Sequence, residues 1–260
     1  MDYRNINRIG FGTSPLGGIT KLGEKHVGMG AQSIRESIYA LEYAYHKGIR
    51  FFDTADVYGN GKVEKLIGKV FKEKNDVKIC TKFGNLVKNN KIIFDYSLNH
   101  LNKSLNSSLK KINRDYLDIL LIHSPPSSLK LNNEYEKYIF KLIESKKILN
   151  FGISCNSIND AINFTKKYNF INYIQINFNL FDRRGIKFFK IAKKNKIKII
   201  ARAPFANGMI FKKNIIKKFP KNDFRNKYDK EFKNWITKQI NSIDKINNDK
   251  KMLSFALNFI

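Results

Sequence analysis

The chain has 260 residues, with 49 Lys and Arg against 22 Asp and Glu, a formal net charge of +27. Hydrophobic residues make up 42% of it and aromatic residues 13%, enough to exclude a wholly disordered chain. No apolar run approaches the roughly 18 residues of a membrane-crossing helix, and the opening Met1-Asp2-Tyr3-Arg4-Asn5 lacks the apolar stretch of a secretory signal, so the expected location is cytoplasmic.

Short apolar runs alternate with longer amphipathic ones. Ile9 to Gly12 reads as a first strand, and Ser33 to Lys47 as a helix with Ile34, Ile38, Leu41 and Tyr45 on one face. Ile49 to Phe52 is the next strand; Val63, Leu66, Ile67 and Val70 mark a helix. Strand Val77 to Thr81 precedes helix Tyr96 to Lys111, and strand Leu117 to Ile122 is as apolar as buried parallel strands are. Helix Asn133 to Lys147, strand Leu149 to Ile153, helix Ile158 to Lys167, strand Asn172 to Ile176, helix Gly185 to Asn195 and strand Lys198 to Ala201 continue the pattern. Phe232 to Ile246 and Lys251 to Ile260 read as closing helices.

Strict β/α alternation implies a parallel sheet with helices outside it. Even spacing over residues 1–260 predicts one domain, an α/β chain of the TIM-barrel kind that ends before an eighth strand. A doubly wound open sheet is the runner-up. Two long loops, Pro15 to Gly30 and Asn207 to Tyr228, follow strand C-terminal ends, where barrel sites lie. Cys80 and Cys155 fall in strand-like segments and predict no disulfide framework. The lysines are spread along the chain without a recognition motif, which favours solvated helix faces over a specific nucleic-acid surface.

Three adjacent strand ends deliver chemistry. Asp53 is the first polar residue after Phe51-Phe52, and Tyr58 follows in the loop. Lys82 lies just past the third strand and His123 just past the fourth. Singly, each residue has an ordinary structural reading: a turn aspartate, a packed tyrosine, a solvent lysine, a strand-end histidine. Together on one rim they form a constellation. An ammonium beside a tyrosine hydroxyl favours the phenolate. A buried Lys82 needs a carboxylate, which Asp53 supplies. His123 can orient a substrate oxygen. The set makes a polarised proton donor with no metal and no covalent nucleophile.

Asp53-Thr54-Ala55 with Tyr58-Gly59, followed by Gly61-Lys62-Val63-Glu64, resembles the tetrad-bearing segment of bacterial-type aldo-keto reductases. Thr81-Lys82 and His123 match the other tetrad positions, and Gly10-Phe11-Gly12-Thr13, Gly152-Ile153-Ser154, Gln175 to Asn179 and Ala203 to Gly208 resemble further family segments, so the resemblance runs from about Ile9 to the chain's end. It implies a (β/α)8 barrel that binds NADP(H) and transfers hydride between the nicotinamide and a carbonyl, alcohol or sugar. By that resemblance Tyr58 is the general acid, tuned by Lys82 and Asp53, with His123 orienting the carbonyl. Ser154, Cys155 and Gln175 fall at the nicotinamide carboxamide and ring. Arg202, Ala203, Phe205, Asn207 and Gly208 would run along the ring and pyrophosphate, Thr13 would lie near the nicotinamide ribose, and Gly12 and Asp53 are further cofactor-binding positions.

Two substitutions depart from the family pattern: Cys155 stands where Asn is common, and Arg202 replaces a ring-stacking aromatic. The eighth strand and the segment holding the adenosine 2′-phosphate are expected after Ile260, so the chain reads as a C-terminally truncated barrel. The alternative function is a non-catalytic, cofactor-sensing or inactive homologue.

Overall fold

The structure is a computed structural model that describes residues 6–22, 25–29, 33–89, 91–211, 219, 221–243 and 249–260. Its strands are β1 (Gly10–Gly12), β2 (Thr20–Leu22), β3 (Lys25–Val27), β4 (Phe51–Asp53), β5 (Lys78–Phe83), β6 (Asn85–Lys88), β7 (Lys91–Phe94), β8 (Ile119–His123), β9 (Phe151–Ser154), β10 (Tyr173–Asn177) and β11 (Lys198–Arg202). Its helices are α1 (Ile34–His46), α2 (Lys62–Phe71), α3 (Leu98–Ile112), α4 (Asn133–Glu144), α5 (Ile158–Lys167), α6 (Ile186–Lys194), α7 (Lys230–Ser242) and α8 (Asp249–Phe259).

Seven strands form one sheet in the order β1-β4-β5-β8-β9-β10-β11. Every ladder in it is parallel. Each of α1 to α6 bridges two neighbouring strands, which is the βα alternation read from the sequence. The result is a half-barrel whose edge strands are β1 and β11. Burial follows position: β8 and β9 are buried throughout, while β11 is only half-buried. The span after β1 holds the β2–β3 hairpin, and the span after β5 holds the β6–β7 hairpin. Residues 23, 24 and 30 of the first long loop, 212–218 and 220 of the second, and 244–246 of the predicted helix lie outside the described residues.

Helix starts follow their caps. Ser33 accepts from the Glu36 amide while Glu36 accepts from the Ser33 amide, a reciprocal capping box. Ser97, Asn132, Ser157 and Asp229 cap α3, α4, α5 and α7, each accepting from a first-turn amide with its side chain. The expected face of α1 is corrected. Its buried side is Ser37, Leu41 and Ala44, and Ile34 is 69% exposed. Ile34 opens the first turn, ahead of the point where the helix meets the sheet.

The main core lies between the helices and the outer face of the sheet, around Phe52, Ile79, Phe83, Leu120, Ile122, Phe151 and Ile153. A smaller cluster fills the inner face: Cys80, Ile119 and Leu121, with Phe51, Tyr173 and Ile200 against it. A third joins Met209 and Ile210 to Ile236, Ile240, Met252 and Ala256 of the closing helices. Both cysteines are buried and free.

Gly152 is paired with Tyr173 across the β9–β10 ladder, and a Cβ there would overlap the carbonyl oxygen of Tyr173. We expect Gly152→Ala to destabilise the fold by about 1–3 kcal/mol, as overpacking does. A urea melt of the two proteins checks this, and an unchanged midpoint would contradict the close approach.

Candidate active site

The strand period of two builds the site. On the inner face, the polar residue of each strand end stands two positions after an apolar or small residue. Asp53 follows Phe51, Lys82 follows Cys80, His123 follows Leu121, Ser154 follows Gly152, Gln175 follows Tyr173 and Arg202 follows Ile200. Six strands thus present a ring of polar groups above an apolar floor. Lys82 and His123, expected just past their strands, lie inside them, as the penultimate and last residues of β5 and β8. That places both on rigid backbone.

Lys82 is 1% exposed. Its Nζ donates to both carboxylate oxygens of Asp53 at 2.8 Å and to the carbonyl oxygen of Thr54 at 2.7 Å, so all three of its protons have acceptors. Burial works to discharge this ammonium, but the Asp53 carboxylate outweighs it, with Tyr58 adding, and holds Lys82 protonated well above the ordinary lysine value. Tyr58 opens the short turn Tyr58–Gly61, where Gly59, Asn60 and Gly61 are left-handed. Lys82 Nζ lies 5.3 Å from the centre of the Tyr58 ring. The His123 ring meets Tyr58 edge to face at 6.0 Å. Burial, and then the positive charges of Lys82 and Arg202, push His123 down to about 3, so its imidazole is neutral across the physiological range. Its Nδ1 is buried without a protein partner.

The expected cofactor-side residues divide into two groups. Gly12 pairs with Asp53 in the β1–β4 register. Buried Thr13 donates to the Asp53 main-chain oxygen from both its amide and its hydroxyl, at 2.9 Å. Arg202 donates to Ser154 Oγ at 3.2 Å, Ser154 Oγ to Gln175 Oε1 at 2.9 Å, and Gln175 Nε2 to Asp53 Oδ1 at 3.0 Å. Cys155 contributes main chain: its carbonyl accepts from Arg202, and burial pushes its thiol up. The second group follows β11. Ala203, Asn207 and Gly208 take left-handed φ values of 52°, 56° and 84°. Phe205 packs in the third cluster, and Asn207 donates to the Tyr228 hydroxyl at 3.0 Å, so this loop is held by the C-terminal elements.

Sequence reasoning missed three supporting residues. Asn177 accepts from Arg202 Nε at 2.8 Å, and its inward parity two positions after Gln175 was the available signal. Glu64, fully buried on α2, accepts from the Thr81 hydroxyl at 2.8 Å and pairs with Lys111 at 3.3 Å. Its traces were its place between Val63 and Ile67 on a buried face and in the run Gly61-Lys62-Val63-Glu64, to which the sequence attached no role. Asp56 accepts from Ser104 at 2.7 Å, and its other oxygen is buried without a partner.

A half-barrel of parallel strands whose inner rim joins Asp, Tyr, Lys and His defines the class, and the chain belongs to the Aldo/keto reductase family, whose model matches residues 8–260. It is 27% identical over 203 residues to the uncharacterized oxidoreductase YqkF of Bacillus subtilis (strain 168), covering 75% of this chain and 66% of that protein. It is 28% identical over 262 residues to the aldo-keto reductase YhdN of the same organism, covering 95% and 76%. It is also 28% identical over 253 residues to the Schizosaccharomyces pombe aldo-keto reductase yakc [NADP(+)], covering 92% and 72%. Among solved structures, the glycerol dehydrogenase AKR11B4 from Gluconobacter oxydans superposes with a TM-score of 0.78 at 24% identity, over 97% of this chain and 78% of that one; this likeness shows the fold. The chain thus spans roughly two thirds to four fifths of the length of these proteins.

Burial, opposed by the Ser104 hydrogen bond and reinforced by Glu64, raises Asp56 from 3.8 to about 7. Between those values the unfolded chain releases this proton before the folded one does. Stability therefore falls as pH rises through that window. We expect Asp56→Asn to melt above the wild type at about pH 8 and level with it at about pH 4. A melting series across pH checks this; parallel curves would contradict it.

Proposed function

We propose that the chain is an NADP-dependent oxidoreductase that interconverts a carbonyl and an alcohol in an aldehyde, ketone or sugar, with Tyr58 as general acid and base. One observation carries the reading: a fully buried ammonium, Lys82, locked by Asp53 and set 5.3 Å from the Tyr58 ring, with neutral His123 edge to face against the same ring. A positive charge fixed beside a phenol favours the form that has given up its proton. A neutral imidazole can hydrogen-bond a carbonyl oxygen without competing to protonate it.

The donor set fits a nicotinamide cofactor. The Ser154 hydroxyl and the Gln175 amide are register partners on adjoining strands, and both are buried. Together they offer the complementary donor and acceptor that a carboxamide needs. Arg202 beside them offers a planar cation for a ring face or a phosphate. Bound NADPH would supply the hydride that adds to the carbonyl carbon. Tyr58 gives its proton to the carbonyl oxygen, and His123 holds that oxygen in place. Lys82, neutralised only in part by Asp53, stabilises the charge left on Tyr58. In the oxidative direction the same tyrosine takes the proton from the alcohol. The relative named for NADP(+) supports the choice of cofactor.

We expect Tyr58→Phe to lower NADPH-dependent carbonyl reduction by about 10²–10⁴-fold, the usual contribution of a general acid, while NADPH binding followed by cofactor fluorescence stays within a few-fold of wild type. Retained turnover would overturn the role of Tyr58. Absent turnover in both proteins, with intact cofactor binding, would favour a nucleotide-sensing chain.

A further inference from the structure

Asp53 receives hydrogen bonds from two directions. Lys82 donates to it from β5, and Gln175 donates to its Oδ1 from β10. In a flat sheet strands this far apart, four spacings, would be separated by about 19 Å. The Gln175–Asp53 bond of 3.0 Å therefore spans the inside of the curled sheet. It is also the last link of a longer chain. Arg202 donates to Ser154, Ser154 to Gln175 and Gln175 to Asp53, at 3.2, 2.9 and 3.0 Å. Every donor points the same way, from a guanidinium towards a carboxylate. Bonds aligned in this sense polarise one another, more so out of water, and Ser154 and Gln175 are buried.

We propose that Gln175 is a positioning residue that passes the pull of Arg202 and Ser154 to Asp53, and so sets how much of the Lys82 charge is left to act on Tyr58. A donor on Asp53 Oδ1 draws the carboxylate's charge away from Lys82. The ammonium then keeps a stronger field at the Tyr58 hydroxyl. With the relay broken, Asp53 leans wholly on Lys82 and that field weakens. Any group that takes the Ser154 hydroxyl changes the relay, so the proton donor senses what occupies the Ser154–Gln175 pocket. The charged and titratable groups involved are few. Tyr58 faces Lys82 from β5 and His123 from β8; Asp53 on β4 and Cys80 on β5 adjoin Lys82; and Arg202 on β11 acts on His123. His123 is neutral and the Cys80 thiol is pushed up by burial, so Asp53, Lys82 and Arg202 carry the charges.

The proposal rests on the reading of Tyr58 as the proton donor, but its test needs neither cofactor nor turnover. The alkaline tyrosinate absorbance transition that Tyr58→Phe removes is isolated by difference, first in the wild-type background and then in Gln175→Leu, Ser154→Ala and the double variant. We expect Gln175→Leu to move this transition upward by about half a pH unit, as loss of one hydrogen bond to a neighbouring charge would. Ser154→Ala should move it the same way by less, and should add nothing in the Gln175→Leu background. An unmoved transition in Gln175→Leu, or shifts that add, overturns the relay. Should Gln175→Leu fail to melt cooperatively, Ser154→Ala alone must still raise the transition, and an unmoved one overturns the proposal equally. Failure of carbonyl reduction in the wild type, by contrast, counts against the catalytic reading and leaves this titration to decide the relay.

Discussion

The Asp53–Lys82 pair is the constraint around which the strand ends are arranged. An ammonium buried to this degree, without a counter-charge, would cost several kcal/mol and lose its proton instead. Two carboxylate oxygens and the Thr54 carbonyl satisfy all three of its protons, which leaves it charged and unable to swing to solvent. That geometry in turn demands the register that aligns Gly12, Asp53 and Cys80 across β1, β4 and β5. A slip of one residue in either ladder would turn Asp53 or Lys82 towards the helices, because strand side chains alternate faces. Thr13 closes the arrangement from the other side by doubly capping the Asp53 carbonyl.

Much of this was legible in the sequence, for a physical reason. Buried parallel strands are apolar on both faces, so an Asp, Lys or His interrupting such a run marks the strand's exit at the mouth. That rule found Asp53, Lys82 and His123, and its parity extends to Ser154, Gln175 and Arg202. It could not find the two hairpins, β2–β3 and β6–β7; in the second, Lys91 to Phe94 is exposed throughout and leaves no burial pattern. Nor could periodicity place Ile34, because an apolar residue in a first turn is buried only if the helix touches the sheet that early. The Gln175–Asp53 bond was invisible for a different reason. It joins residues 122 apart through the curvature of the sheet, and no local pattern encodes curvature.

Part of the net charge of +27 also finds a place in the fold. Basic side chains occupy the last turns of six consecutive helices: His46, Lys69, Lys110 and Lys111, Lys141, Lys166 and Lys167, and Lys193 and Lys194. Cations there oppose the partial negative charge of exposed helix carbonyls. In a barrel those helix ends face away from the strand C-termini. The lysines of these turns therefore lie opposite the rim that carries Asp53, Lys82 and His123.

Behind the rim stands a second row of buried acids, and it explains the length of the Asp53–Glu64 segment. Asp56 donates its amide to the Lys82 carbonyl, while its carboxyl is held by Ser104 of α3. Glu64 holds Thr81, the residue before Lys82, and answers Lys111 of α3. Asp56 thus holds the β5 backbone at the Lys82 carbonyl through its amide, and Glu64 holds the Thr81 side chain one residue earlier. Burial, with the nearness of Glu64 adding, carries an electrostatic cost that raises the pKa of Asp56. A pair of apolar residues would avoid that cost but could not pin Thr81 or reach Ser104. The segment thus trades some stability for a fixed Lys82, and a fixed Lys82 is the condition for one charge to act on Tyr58 from one place.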